Sequence, residues 1–424
     1  MSSSKFITIP LLQRCLLFAC QSSSQAVRMT YVNKLFEETL VDFHTAHTVF
    51  RRNVMWKRNE HPNSKPVREK RDNTFKVFET ACKTGITWVV LTMLDAAKVC
   101  VSPCLLSEHI ERGNQRKESA LFIALRHNQI EVIEILLDAI RERHSFSRKT
   151  EPIPEFIESS RPLSILNFPV NCHLLHHAAM NSNAETLQFL MDEMQKCEGG
   201  EEILKNALVT RCPLDRMTHI SVSEWQTIIK SFRFPLWGLC MYNPSVDAFH
   251  LFVKALEREY PLFLNNNKKN DDSDDEEATI RETFLPPPEM HDKNILMMAA
   301  RNPNPEIFRL TLLETRKFFL SSPTNNTPDD FDEVMILAFD RPQFNFRVGL
   351  LYYVFYGTSP EIVVNRLKIL AAVCASERTW QRLVASETLA ESLRMASDPK
   401  VVEVINSQTT FAESKMWYAE TFGE

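Results

Sequence analysis

Glycine is scarce, with 8 residues in 424; the usual share is about 7%. Little material is left for glycine-rich phosphate loops or glycine-dependent hairpins. The motifs G-x-G-x-x-G, G-x-x-x-x-G-K-[ST] and G-x-S-x-G are absent, which removes the commonest catalytic signatures. Long apolar runs are missing too. The longest are Phe6–Cys20, broken by Gln13 and Arg14, and the short Val348–Tyr356. A membrane span needs about 18 such residues, so no membrane insertion is expected. Charge of one sign is not in excess: Lys+Arg 49 against Asp+Glu 54 gives −5, and global charge points to no polyanionic partner. The ten cysteines are scattered. Cys82, Cys240 and Cys374 sit inside apolar helical segments, as reduced, buried thiols do. The composition that remains, 44% hydrophobic and 24% charged, is that of an ordinary globular chain. Its length can bury a large core and accommodates two or three domains.

One pattern recurs along the chain. A leucine-like residue is followed by a small residue or pair, a short turn and an apolar helix. Clear copies are Phe75–Leu94, Ser119–Leu137, His173–Met191 and Asn294–Leu313. Weaker copies are Phe234–Val253, Val334–Leu351 and Leu393–Ile405. The small positions (Ala81-Cys82, Ala124, Ala178-Ala179, Ala299-Ala300) let a first helix approach its neighbours closely. The second helix carries apolar residues three and four apart, as at Ile130, Ile133, Leu136 and Leu137, which is one stripe of a 3.6-residue period. Neither helix buries its apolar face alone, so successive pairs must stack.

The pattern resembles the ankyrin repeat, whose motif runs T-P-L-H-x-A-A, two residues, Gly, then a helix ending in V-x-L-L. Leu175-His176-His177-Ala178-Ala179 matches its centre, Phe234-Pro235-Leu236 keeps its proline, and Gly85 sits at its turn glycine. The resemblance implies an all-α fold: an ankyrin-like α-solenoid of stacked helix pairs with long insertions. The departures are specific. Asn128, Ser182, Asn243, Pro303 and Pro342 replace the turn glycine. Asn adopts the left-handed conformation and Pro does not, so the turns at Pro303 and Pro342 must be shaped differently. Ala81 to Ala124 spans 43 residues and Ala124 to Ala178 spans 54, against about 33 in the family. A helical-hairpin array of the HEAT kind is the rival architecture.

The expected organisation is an N-terminal helical segment (1–50), a basic linker (51–74), ankyrin-like repeats (75–262), an acidic disordered loop with a proline-rich re-entry (263–290), and further repeats with C-terminal helices (291–424). No acidic residue precedes Glu37, a composition shared by transit peptides and by an ordinary first helix over Ile9–Cys20. The tract Asn265–Thr279 is nearly devoid of apolar residues, and Ser273, followed by Asp274, Asp275 and Glu276, suits an acid-directed kinase. The basic stretch Arg51–Arg71 reads as a linker, with import or polyanion binding as alternatives.

Metal and catalytic candidates are few. Cys172 and His176 lie four apart and would share a face of a helix, but His176 falls where ankyrin repeats place a structural histidine. Cys100 and Cys104 lack a second close pair, and His44 and His47 lack the H-E-x-x-H arrangement. No metal, cofactor or catalytic residue is assigned. The resemblance implies a protein-binding array. Its variable positions follow the small pair, and the partner-binding residues expected here are Lys83, Arg126, His127, Asn181, Trp237, Met241, Tyr242, Arg301, Asn302 and Arg341. Trp, Tyr and Arg are enriched at binding hot spots; Trp237 buried between repeats is the alternative. The expected function is a non-enzymatic adaptor or regulatory scaffold for another protein, inside the cell and most simply in the cytoplasm, with nucleus or mitochondrion as alternatives. Nucleic acid is not expected. The competing reading is an enzyme or enzyme subunit with its site in an insertion such as Arg141–Phe168 or Glu198–Glu224.

Overall fold

A computed structural model describes residues 76–99, 120–146, 161–164, 169–172, 174–196, 199–210, 234–260, 283–284, 295–320, 327–328, 330–332, 359–374, 376–384 and 411–422. The expected segments 1–50 and 51–74, the acidic tract and the copies Val334–Leu351 and Leu393–Ile405 lie outside them. The chain divides into two compact units, Met1–Val170 and Asn171–Glu424. This division falls inside the stretch 75–262 that the repeat pattern groups together, between the copies Ser119–Leu137 and His173–Met191.

The described residues are overwhelmingly helical. In the first unit, α1 (76–84) and α2 (Thr87–Val99) form one pair, and α3 (Ala120–Arg126) and α4 (Ile130–Phe146) the next. A two-stranded sheet, Arg161–Ser164 with Pro169–Cys172, is the one departure from helix among the described residues. In the second unit the pairs are α5 (Leu174–Asn181) with α6 (Ala184–Gln195), α8 (Pro235–Tyr242) with α9 (Val246–Glu259), and α10 (Ile295–Ala299) with α11 (Pro305–Leu320). Helix α7 (Gly200–Val209) follows the first of these. Helices α12 (Pro360–Val373), α13 (Glu377–Val384) and α14 (Phe411–Phe422) complete the unit. Five copies of the sequence pattern are therefore helix–turn–helix pairs.

First and second helices bury themselves differently. Residues Ala120–Leu125 of α3, Leu174–Met180 of α5, Pro235–Met241 of α8 and all of α10 are buried. A helix that is apolar all round is stable only when covered on every side. The second helices are amphipathic: α9 buries Ala248, Phe249, Phe252, Val253, Ala255 and Leu256 and turns Asp247, Lys254 and Arg258 to solvent. In the second unit α5 packs on α8 and α8 on α10, while α6 packs on α9 and α9 on α11. First helices form one layer and second helices the other. Helix α11 packs on α12, and α12 on α14.

Helices α6, α9 and α12 start by a shared device. Asn183, Ser245 and Ser359 accept hydrogen bonds from the N–H groups of Thr186 (2.9 Å), Ala248 (3.1 Å) and Ile362 (3.4 Å). Glu131, Glu185, Asp247, Glu306 and Glu361 stand in the first turns of α4, α6, α9, α11 and α12. Both features satisfy the exposed N–H groups and the positive end of the helix dipole.

Candidate functional site

The turns between first and second helices carry the residues expected to bind a partner, and they come in two forms. In the first unit Gly85 (φ 76°) and Asn128 (φ 55°) both occupy the left-handed region. Ile86 N–H donates to Ala81 O and Gln129 N–H to Ala124 O, each at 3.0 Å. This spacing is that of a Schellman cap, which consumes carbonyls left open at a helix end. Asn128 thus does what glycine does one pair earlier. In the second unit the turn residue is extended instead: Asn243 has φ −89° and ψ 114°. Proline follows both Asn243 and Asn302, and a residue before proline is pushed toward extended backbone.

These turns are tied to one another by side-chain amides. Asn243 Nδ2 donates to Ala179 O at 2.8 Å, in the last turn of α5, and to Ser182 O at 2.7 Å, just after it. Asn302 Nδ2 donates to Cys240 O at 2.8 Å and to Asn243 O at 2.9 Å. Their Oδ1 atoms accept from Ser245 N–H (3.0 Å) and Asn304 N–H (2.8 Å). The buried Arg366 of α12 continues the series, donating from Nη2 to Asn302 O. Burial lowers the Arg366 pKa to about 10. In the first unit Gln129 Nε2 donates to His127 O at 3.0 Å and to Lys83 O of the earlier pair at 3.3 Å. Each bridge supplies an N–H donor to carbonyls that a helix end would otherwise leave unsatisfied.

The expected partner-binding residues divide by burial. Lys83 is exposed, and Arg126, His127, Asn181, Tyr242 and Arg301 are half-buried. Trp237 (1% exposed), Met241 (4%) and Asn302 (0%) are inside the core. Trp237 takes the alternative place, buried between repeats: Nε1 donates to Thr283 O at 2.6 Å and the ring packs edge-on against Phe234. Asn302 is spent on the bridge just described. Arg341 and Ser273 lie outside the described residues.

Two groups of accessible residues result. In the first unit, burial followed by the charges of Lys83 and Arg126 lowers the His127 pKa. In the second unit, Asn181, Tyr242 and Arg301 stand next to the bridged residues Ser182, Asn243 and Asn302, on three consecutive turns. Asn181 Nδ2 donates back to His177 O at 3.0 Å, closing the end of α5. The bridging role of Gln129, Asn243, Asn302 and Arg366 was not read from the sequence. Its one visible trace is the repeated Asn-Pro at Asn243-Pro244 and Asn302-Pro303.

The chemistry of the remaining candidates is plain. His176 and His177 are buried in α5. Cys172 ends strand β2 (Pro169–Cys172), so it does not share a helical face with His176. Among the described residues no group of three or more His, Cys, Asp or Glu gathers to hold a metal ion. Cys82, Cys240 and Cys374 are free and buried. Burial pushes the Cys82 thiol up and those of Cys240 and Cys374 up to about 12, so all three stay protonated and poorly nucleophilic at neutral pH. Among the described residues no helix is long and apolar enough to cross a membrane. Compared with protein-family models and with curated proteins, the chain matches no family model and no curated protein.

Proposed function

We propose that this chain is a non-enzymatic interaction module, an adaptor or regulatory scaffold built on degenerate ankyrin-like repeats, which binds another protein in the cytoplasm at the first-helix turns. The observation that carries this reading is the row Asn181, Tyr242 and Arg301. Three successive turns are held side by side by the Asn243 and Asn302 amides. A partner meeting such a row pays little ordering entropy, because the backbone is already fixed. Tyr and Arg are enriched at hot spots; here the Tyr242 hydroxyl is itself buried, so Tyr242 contributes ring area and not a hydrogen bond. The first unit carries its own group of first-helix-turn residues, the cations Lys83 and Arg126 beside a His127 that they and burial hold toward the neutral form.

The test compares the wild type with Tyr242→Ala/Arg301→Ala in a quantitative pull-down from native lysate, alongside thermal melting. Both side chains are half-buried rather than core. The expected result is a partner recovered by the wild type, lost with the variant, at an unchanged melting temperature. A variant that unfolds, or one that retains the partner, removes this surface from consideration.

A further inference from the structure

The first unit gathers three basic side chains on two adjacent turns. Lys83 is exposed at the end of α1, and Arg126 and His127 are half-buried at the end of α3. One side-chain amide brings the two turns together. Gln129 Nε2 donates to Lys83 O at 3.3 Å and to His127 O at 3.0 Å, so a single nitrogen holds both backbones. Gly85 makes room for that amide: a Cβ there would lie 2.2 Å from Gln129 Oε1. Gly85 and Asn128 take the left-handed backbone that closes each turn. The backbone beneath the three side chains is therefore fixed before any ligand arrives.

The charge on these turns is of one sign. Burial first, and then the nearby Lys83 and Arg126, hold the His127 pKa below its ordinary value, so the charges acting on that ring are both positive. Two standing cations and an imidazole with a donor to offer attract an anion. Arg meets a carboxylate with two parallel hydrogen bonds, and Lys adds a point charge. The surroundings limit how far that anion extends. Glu131, Glu134 and Asp138 are exposed along α4, three and four residues apart and so on one helical face. This carboxylate face begins in the first turn of α4. A long polyanion such as a nucleic-acid backbone, charged along its whole length, meets these carboxylates as it extends toward α4. A short acidic peptide stays clear of them.

We propose that the paired turns of the first unit, through Lys83, Arg126 and His127, seat a short acidic segment of a partner protein. The inference rests on the reading of first-helix turns as partner-binding surfaces. It uses the turns of the first unit alone, so it can hold where the row Asn181, Tyr242 and Arg301 fails, and fail where that row holds.

The probe is a fluorescent peptide of alternating Asp and Glu, titrated onto the full chain. Lys83→Gln/Arg126→Gln is expected to bind it at least about tenfold more weakly than the wild type, and wild-type binding is expected to weaken as salt rises. Lys254→Gln/Arg378→Gln removes the same charge from exposed positions of the second unit and is expected to bind as the wild type does. Tyr242→Ala/Arg301→Ala is expected to do the same. Lys83→Glu, at an exposed position, is expected to lose at least as much as the first pair and decides the matter if that pair fails to fold. No binding by the wild type overturns the proposal. Equal losses from the two Gln pairs also overturn it, because net charge alone then explains the binding. Loss with Tyr242→Ala/Arg301→Ala overturns it by moving the peptide to the other row. A uridine oligonucleotide of the same length that binds more tightly than the peptide overturns it in favour of nucleic acid.

Discussion

At the scale of single residues, the turns show how one position is solved in two ways. Asn128 stands at the place of Gly85 and takes the same left-handed backbone. A residue with a Cβ costs about 1–2 kcal/mol there, Asn and Asp excepted, and Gly, which has none, is free of that cost. Asn128→Ala is therefore expected to destabilise the first unit by about 1 kcal/mol, and Asn128→Gly to leave it nearly unchanged, as read by urea unfolding. Equal losses from both variants would show that the Asn side chain, and not its backbone, matters. The tolerance of Asn for this conformation was legible in the sequence. The extended geometry of Asn243 was legible only in part, since Pro244 biases the backbone but does not reveal where the amide goes.

At the scale of the helix, close approach governs the packing. Gly238 of α8 faces Met180 of α5; a Cβ there would lie 2.6 Å from Met180 Cγ. Gly238→Val is expected to cost about 1–3 kcal/mol by overpacking, despite leaving the helix itself intact. A melting temperature equal to the wild type would mean that α5 and α8 are free to separate. The small residues that permit such contacts, and the amphipathic stripe of each second helix, were readable from period and residue size. The fate of Trp237 was not. A first helix that is apolar on every side carries no mark of which side chain faces outward. Its neighbours decided that the indole would be buried and bonded to Thr283 O. The same limit hid the burial of Met241.

At the scale of the whole molecule, the amide bridges couple neighbouring pairs within the second unit. In stacked arrays stability is roughly a sum of pair and interface terms. Asn302 sits on an interface: it touches the turn of the preceding pair, and Arg366 reaches its carbonyl from the following one. Removing its amide leaves buried carbonyls unsatisfied, at about 1–3 kcal/mol each. Asn302→Ala is expected to speed hydrogen exchange in both 235–259 and 295–320. Exchange that changes in 295–320 alone would show that the bridge stabilises one turn and not the stack.

Helix pairing, the buried reduced thiols, the amphipathic outer layer and the want of catalytic motifs all followed from residue order. Each depends on local period, residue size or composition, and these do not require knowing what lies opposite. The division after Val170, the spending of Asn302 on neighbouring carbonyls and the seat of Tyr418 on Arg309 came from packing. They join residues separated by tens of positions or more, and a buried donor takes whichever acceptor the assembled core leaves open.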